Sequence, residues 1–544
     1  MTSDRVHFSA PQEISSGWKC AILQADLCRT PDEAIKSGDW ISAKAPGTTA
    51  QALSEAGLWP PDDPSPLHDQ DVWYVCDIVT QVPSRLRLEG LATIAEVWIN
   101  GQLATESISM FLPVDIELKD SGSIQIAICF RSLKRYLDQV KGKRARWRTA
   151  LADNQSLRFV RTTLLGHMPG WCPQIDCVGP YRTIKLFPGG ALSRESFDLW
   201  THYSQDKGFL SASFTFPEDV ALPGFVTLLC AGRSVALVMD GRKAHGLLEL
   251  DNVEPWWPHT HGKSMLYEVA VDIEGNIQPL GAAGFRSVEI DHGADESRFG
   301  FVVNGVKIFA RGVCWTPWDL ASLPGDKSTY YQALRLMRDA GFNMVRIPGM
   351  TLYESPEFFE VADELGIMVW QDLQFANFDY PFSDKAFHAA AVKEIENFLS
   401  NTRRHCSLVA LCGGSEVEQQ AAMMGLPSTV RKVEFLEGEA KAILLRDRPD
   451  IVYVENSPWG GDLPFSVNHG VGHYYGVGAY LRPLEDARRA DVSFAAECLA
   501  FSNVPDPATL RAQFSPPVLE SLGWKEGVPR DRGACWDFED VREF

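Results

Sequence analysis

A chain of 544 residues is longer than one hydrophobic core organises, so its length implies two to four domains. Hydrophobic residues make up 45% and charged residues 22%, the balance of a folded chain and not of a disordered one. Its 51 basic and 71 acidic residues leave a net charge of -20, which disfavours nucleic acid or an anionic membrane as partner. No stretch reaches the roughly 18 apolar residues of a membrane span. The N-terminal MTSDRVHFSAPQE lacks the apolar centre of a secretory signal, so a cytoplasmic location is expected. Twelve cysteines are scattered without any CxxC and read as reduced, buried thiols.

In chain order, SRLRLEG, IAEVWINGQL, LPVDIEL and SIQIAICF have strand-like lengths and breaks, which predicts a jelly-roll sandwich over residues 1–190. The basic run KGKRARWR at 141–148 reads as a solvated loop. FLSASFTF, FVTLLC, SVALVMD and LYEVAVDI form a second β segment, assigned to an immunoglobulin-like sandwich over 191–300. Beyond it, over 301–544, apolar runs alternate with helical patterns. KIFARGVCW, FNMVRIPG, IMVWQD, CSLVALCGG, DIVYVE, VGHYYGV and VSFAAE are seven strand candidates in single file. No GxGxxG or GxxxxGK[ST] follows any of them, so a (β/α)8-type barrel explains the series better than a doubly wound sheet. The fold class is therefore multidomain β plus α/β. After Pro505 no eighth apolar strand is evident, and a C-terminally incomplete barrel is expected.

Barrel chemistry gathers at the C-terminal ends of strands. Those ends carry Trp315 and Trp318, Arg346, Trp370 with Gln371 and Asp372, Glu416, Glu455 with Asn456, His473 to Tyr475, and Glu497. Two carboxylates on different strands among aromatic rings suit a sugar site, in which one group protonates the glycosidic oxygen and the other attacks the anomeric carbon. Each residue also has a plainer reading: Glu416 as a loop or turn residue, Arg346 as half of a structural ion pair, Trp459 in NSPWGGD as a loop cover. Of Tyr474 and Tyr475, alternation lets one face the pocket, and Tyr474 is taken as the candidate.

The segments APGTTA, LEGLATIAEVWING, EPWWPHTHGKSMLY, FNMVRIPG and above all MVWQDLQFANFDYP give a resemblance over almost the whole chain. The chain resembles glycoside hydrolase family 2, most closely its β-mannosidase branch. The resemblance implies that Glu416, closing Cys412-Gly413-Gly414-Ser415, is the general acid/base, and that Glu497 in FAAECLAFSNVP is the nucleophile of a retaining exo-β-glycosidase. It implies sugar contacts from Trp171, Trp315, Arg346, Trp370, Asp372, Ser415, Trp459 and Tyr474, a β-linked mannoside or related oligosaccharide as substrate, and no metal or organic cofactor.

The sequence departs from the family pattern at sugar-recognition positions. Ser415 replaces Asn, GWCPQ replaces GWDWG so that Cys172 stands for a carboxylate, IPGM replaces a VWGGG-like turn, and the nucleophile segment lacks its Gly and Gln. A β-glycosidase of other sugar specificity and a catalytically impaired carbohydrate-binding fragment stay open as alternatives, as does homo-oligomerisation.

Overall fold

The computed structural model describes residues 7–59, 66–169, 171–218, 220–323, 325–499, 504–525 and 536–543. Gly170 and residues 500–503, which the sequence reading placed in the GWCPQ and nucleophile motifs, lie outside them.

Alternation builds the first sandwich. Ser84–Leu88, for example, buries every second residue fully. A six-stranded antiparallel sheet, ordered 41–42, 19–24, 70–80, 122–130, 95–99 and 102–107, accompanies a four-stranded sheet ordered 12–13, 184–188, 84–88 and 114–118. Trp18, Tyr74, Leu86, Val97, Ile126 and Ile184 belong to one shared core. A second sandwich combines strands 198–204, 207–215, 243–251 and 238–240 with strands 233–236, 226–230, 267–273 and 276–283 around its own core of Leu210, Leu228, Val269 and Phe285.

The barrel follows. Its strands are β1 (Gly312–Cys314), β2 (Met344–Ile347), β3 (Met368–Asp372), β4 (Leu408–Cys412), β5 (Val452–Val454), β6 (Val471–Tyr474) and β7 (Phe494–Cys498). The first five pair in parallel in chain order, and β6 pairs with β7. Every residue of β2, β3 and β4 is buried, which is why their sequences run apolar instead of alternating. Local chemistry sets the helix limits. Asp326 caps α1 (Lys327–Asp339) by accepting from the Thr329 amide, and Gly341 at φ +83° then turns the chain toward β2.

Trp459 and Val471 exchange two 2.8 Å backbone hydrogen bonds, linking the segment after β5 to β6. Among the described residues no backbone ladder joins β7 to β1; the Cys314 thiol instead donates to the Ala496 carbonyl at 3.5 Å. The architecture is thus jelly roll, immunoglobulin-like sandwich and a (β/α)8-type barrel with no eighth strand among the described residues. The Trp370 and Phe494 rings stack 5.6 Å apart, and Phe299 and Phe301 close against them.

The 141–148 run is more than a solvated loop. Trp147 is buried and donates to the Asn377 carbonyl at 3.0 Å, while Arg146 grips the Asp379 carboxylate at 2.7 and 3.0 Å. These partners lie more than 200 residues away, so no local pattern announces them. No described helix is long and apolar enough to cross a membrane.

Candidate active site

Glu416 owes its position to the glycines before it. The Gly413 amide donates to Val454, the Ser457 amide to Gly414, and the Glu416 amide to Ser457 at 2.7 Å, so the backbone stays zipped to the segment after β5 beyond the end of β4. A Cβ at Gly413 would stand 2.4 Å from the Tyr453 hydroxyl oxygen, and one at Gly414 2.7 Å from Asn456 Oδ1. Only glycine permits this approach. Glu416 itself adopts φ +57°, a left-handed conformation that costs a non-glycine residue about 1–2 kcal/mol and turns the chain into the helix Val417–Met423.

The turned carboxylate meets β6 and β7. His473 Nδ1 lies 3.1 Å from Glu416 Oε1 and 3.5 Å from Glu497 Oε2, and its Nε2 is 2.9 Å from the Ser457 hydroxyl. One ligating atom from each of Glu416, His473 and Glu497 lies within 4.8 Å of the other two. Gln419 adds a 2.9 Å hydrogen bond to Glu416. Arg346 Nη1 and the Tyr475 hydroxyl each donate to Glu497 at 2.6 Å, one to each oxygen. A cation would compete with a guanidinium and a phenol for the Glu497 oxygens.

Arg346 also binds Asp372 at 2.6 Å and reaches Ser415 Oγ at 3.4 Å. Trp370 Nε1 donates to the other Asp372 oxygen at 2.7 Å. A continuous chain therefore runs from Trp370 through Asp372 and Arg346 to Glu497. Burial alone would raise the Glu497 carboxyl, but the His473 ring, the Arg346 guanidinium and the Tyr475 hydroxyl outweigh it and lower its pKa from 4.5 to about 2. Burial and the adjacent Glu497 charge push the Tyr475 phenol well above its ordinary range, so it stays a donor.

The linkage has a definite sign. A carboxylate with a depressed folded-state pKa contributes stability that is fully present above pH 4.5 and is lost as pH falls toward 2. Urea unfolding between pH 6 and pH 3 is expected to show the parent losing about 2 kcal/mol more than Glu497→Gln. Equal losses in the two proteins would refute the depressed pKa.

Several candidates stand elsewhere than expected. Trp315 follows Cys314, which approaches Arg346, and alternation turns the indole the opposite way. It is buried against Tyr330 and Phe358 and donates to Glu354 at 2.7 Å, on the helix side of the barrel. The Tyr474 hydroxyl donates to Asp486, and it is Tyr475 that stands beside Glu497. Ser415 is fully enclosed with Arg346 as its neighbour, so its hydroxyl is not presented to a sugar. Trp370 is buried inside the barrel and acts on Asp372. Trp171 packs against the barrel's main apolar cluster and Trp459 against the interior one, both partly buried. His473 carried no assigned role in the sequence, and Tyr475 stood only as the alternative to Tyr474, although their spacing from buried Val471 by two and four residues places them on one face of β6.

The difference between the tyrosines is measurable. Tyr475→Phe is expected to reduce kcat/KM by about 10- to 100-fold, the value of a hydrogen bond to a charged group, and to move the acid limb upward. Tyr474→Phe is expected to change neither. Equal effects of the two would contradict the geometry.

Comparison with known proteins shows what the chain is similar to. Residues 29–182 match the family described as glycosyl hydrolase 2 galactose-binding domain-like. The chain is 27% identical over 412 residues to beta-mannosidase B of Emericella nidulans and 28% over 411 residues to that of Aspergillus niger, in each case covering 69% of this chain and 48% of the relative. The chain is thus similar to members of glycoside hydrolase family 2. The chain spans about half the length of the curated relatives it matches. Its fold superposes on a beta-D-mannosidase from Dictyoglomus thermophilum with a TM-score of 0.80 at 21% identity, covering 94% of this chain and 65% of that one. On an exo-chitosanase from Amycolatopsis orientalis the TM-score is 0.64 at 17% identity, covering 95% and 61%.

Proposed function

We propose that the barrel carries the catalytic pair of a retaining exo-β-glycosidase, with terminal β-mannosides as its substrate class. The observation that carries this reading is the separation of the two carboxylates, whose nearest oxygens lie within 4.8 Å. A retaining pair needs carboxyl groups about 5–5.5 Å apart, whereas an inverting pair needs about 6.5–9.5 Å to seat a water.

The roles follow from the environments. Glu497, held ionised by Arg346, His473 and Tyr475, attacks the anomeric carbon and forms a glycosyl ester. Glu416 gives its proton to the departing glycosidic oxygen, and the aglycone leaves. The same group then takes a proton from water as that water attacks the ester, releasing the sugar with its original β configuration and restoring both carboxyls. His473, touching both carboxylates, keeps them aligned through the exchange. The assignment of mannose draws on the beta-mannosidase relatives.

Hydrolysis of p-nitrophenyl β-mannoside, glucoside, galactoside and glucosaminide side by side tests the substrate class. The mannoside is expected to give the largest kcat/KM, and a faster glucosaminide or galactoside would overturn mannose as the substrate. A second reading is sugar binding without turnover. It is favoured by the β7 to β1 border, which no backbone ladder joins among the described residues and where Cys314 lies 3.8 Å from Arg346. Saturable mannoside binding with no product would establish it.

A further inference from the structure

A second cavity lies where the 143–158 segment of the first sandwich meets the barrel. It encloses about 600 Å³, within the roughly 300–1,000 Å³ typical of ligand sites, and neither Glu416 nor Glu497 lines it. Its acidic residues are mostly committed. Asp379 is held by Arg146, and Glu439 pairs with His388 at 2.7 Å, which leaves Glu434 as the lining carboxylate without an ion pair among the described residues. The basic side is not committed in the same way. Lys143 and Arg144 line the cavity from exposed positions, and among the described residues their side chains enter no ion pair or hydrogen bond. Behind them Arg158, 5% exposed, donates to the Lys143 carbonyl at 2.8 Å and through Nε to the Asp379 backbone carbonyl, while its Nη2 stands 3.8 Å from the Asp379 carboxylate, beyond hydrogen-bond reach.

Cationic charge gathered at one opening of a chain with net charge -20 selects for an anion that the rest of the surface repels. The opposite wall is aromatic. Phe382, partly exposed, stacks on buried Phe435 with ring centres 4.2 Å apart and planes 15° apart, which fixes its orientation as a platform. An aromatic face presented beside charged donors suits the apolar C–H face of a pyranose better than a small inorganic ion.

We propose that this cavity is an accessory binding site for an acidic oligosaccharide, with Lys143 and Arg144 holding a sugar carboxylate and Phe382 stacking on the ring. The site stands apart from the proposed hydrolysis, and a binding measurement therefore decides it whether or not the chain turns over a glycoside.

The test is isothermal titration of the full chain with trigalacturonic acid, with the same trimer after reduction of its carboxyls, and with inorganic phosphate. The acidic trimer is expected to bind, more weakly as salt rises, and to lose roughly tenfold or more in affinity in the Lys143→Ala/Arg144→Ala variant. Phe382→Ala is expected to weaken the trimer and leave phosphate unaffected. Unfolding midpoints equal to the parent's establish that each variant is folded. No binding of the acidic trimer, equal affinity for the reduced trimer, phosphate binding as tightly as the trimer, or an unchanged affinity in the double variant would each overturn the proposal.

Discussion

Glu497→Gln is expected to reduce kcat on aryl β-mannosides by about 10⁴-fold or more, because an amide of nearly the same shape cannot form the glycosyl ester. The amide also loses the charge that Arg346 and Tyr475 are arranged to meet, one donor on each oxygen. Glu416→Ala is expected to behave differently. A poor leaving group needs its proton, and the loss there should reach about 10²- to 10⁴-fold. With a dinitrophenyl leaving group the first step needs little protonation, so the glycosyl ester accumulates. Azide, which needs no base, should then restore turnover and yield a β-glycosyl azide. Azide rescue of Glu497→Ala with retained β configuration, or no rescue of Glu416→Ala, would reverse or remove the assigned roles.

Arg346 is expected to give the largest combined effect on stability and activity. Its guanidinium is 4% exposed and joins buried Asp372 to Glu497 with 2.6 Å contacts on both sides. Removing one member of such an arrangement leaves two carboxylates without their cation, and Arg346→Met should cost about 3–5 kcal/mol in urea unfolding. It should also raise the Glu497 carboxyl, so the acid limb of kcat/KM moves up in pH. Arg346→Lys restores charge but cannot span two carboxylates with a planar fork, so only partial recovery is expected. A lysine variant with parent stability and an unmoved pH profile would show that the bridge has no such role.

The barrel was legible in the sequence because its strands are short, apolar and separated by helical periods. FNMVRIPG became the fully buried β2, and RLMRDAG ended α1 at the glycine that turns into it. The direction of individual side chains was less legible. Trp315 and Tyr474 stand at strand ends, where chemistry collects, but a one-residue offset sends each to the outer face. Ser415 shows a different limit. Its substitution is visible in the sequence, yet its enclosure beside Arg346 depends on three strands meeting. Glu416 illustrates both sides: Gly413 and Gly414 mark a tight approach, while the left-handed turn and the His473 contact arise from pairing with residues 454–457 and from β6.

The central claim is that Glu497 becomes covalently bound to the sugar. Incubation with a 2-deoxy-2-fluoro-β-mannosyl fluoride, followed by intact mass and peptide mapping, measures this directly. The expected result is one added fluorosugar per chain, on the peptide containing Glu497. A label on Glu416, or steady hydrolysis of β-mannosides with no label on Glu497, would contradict it.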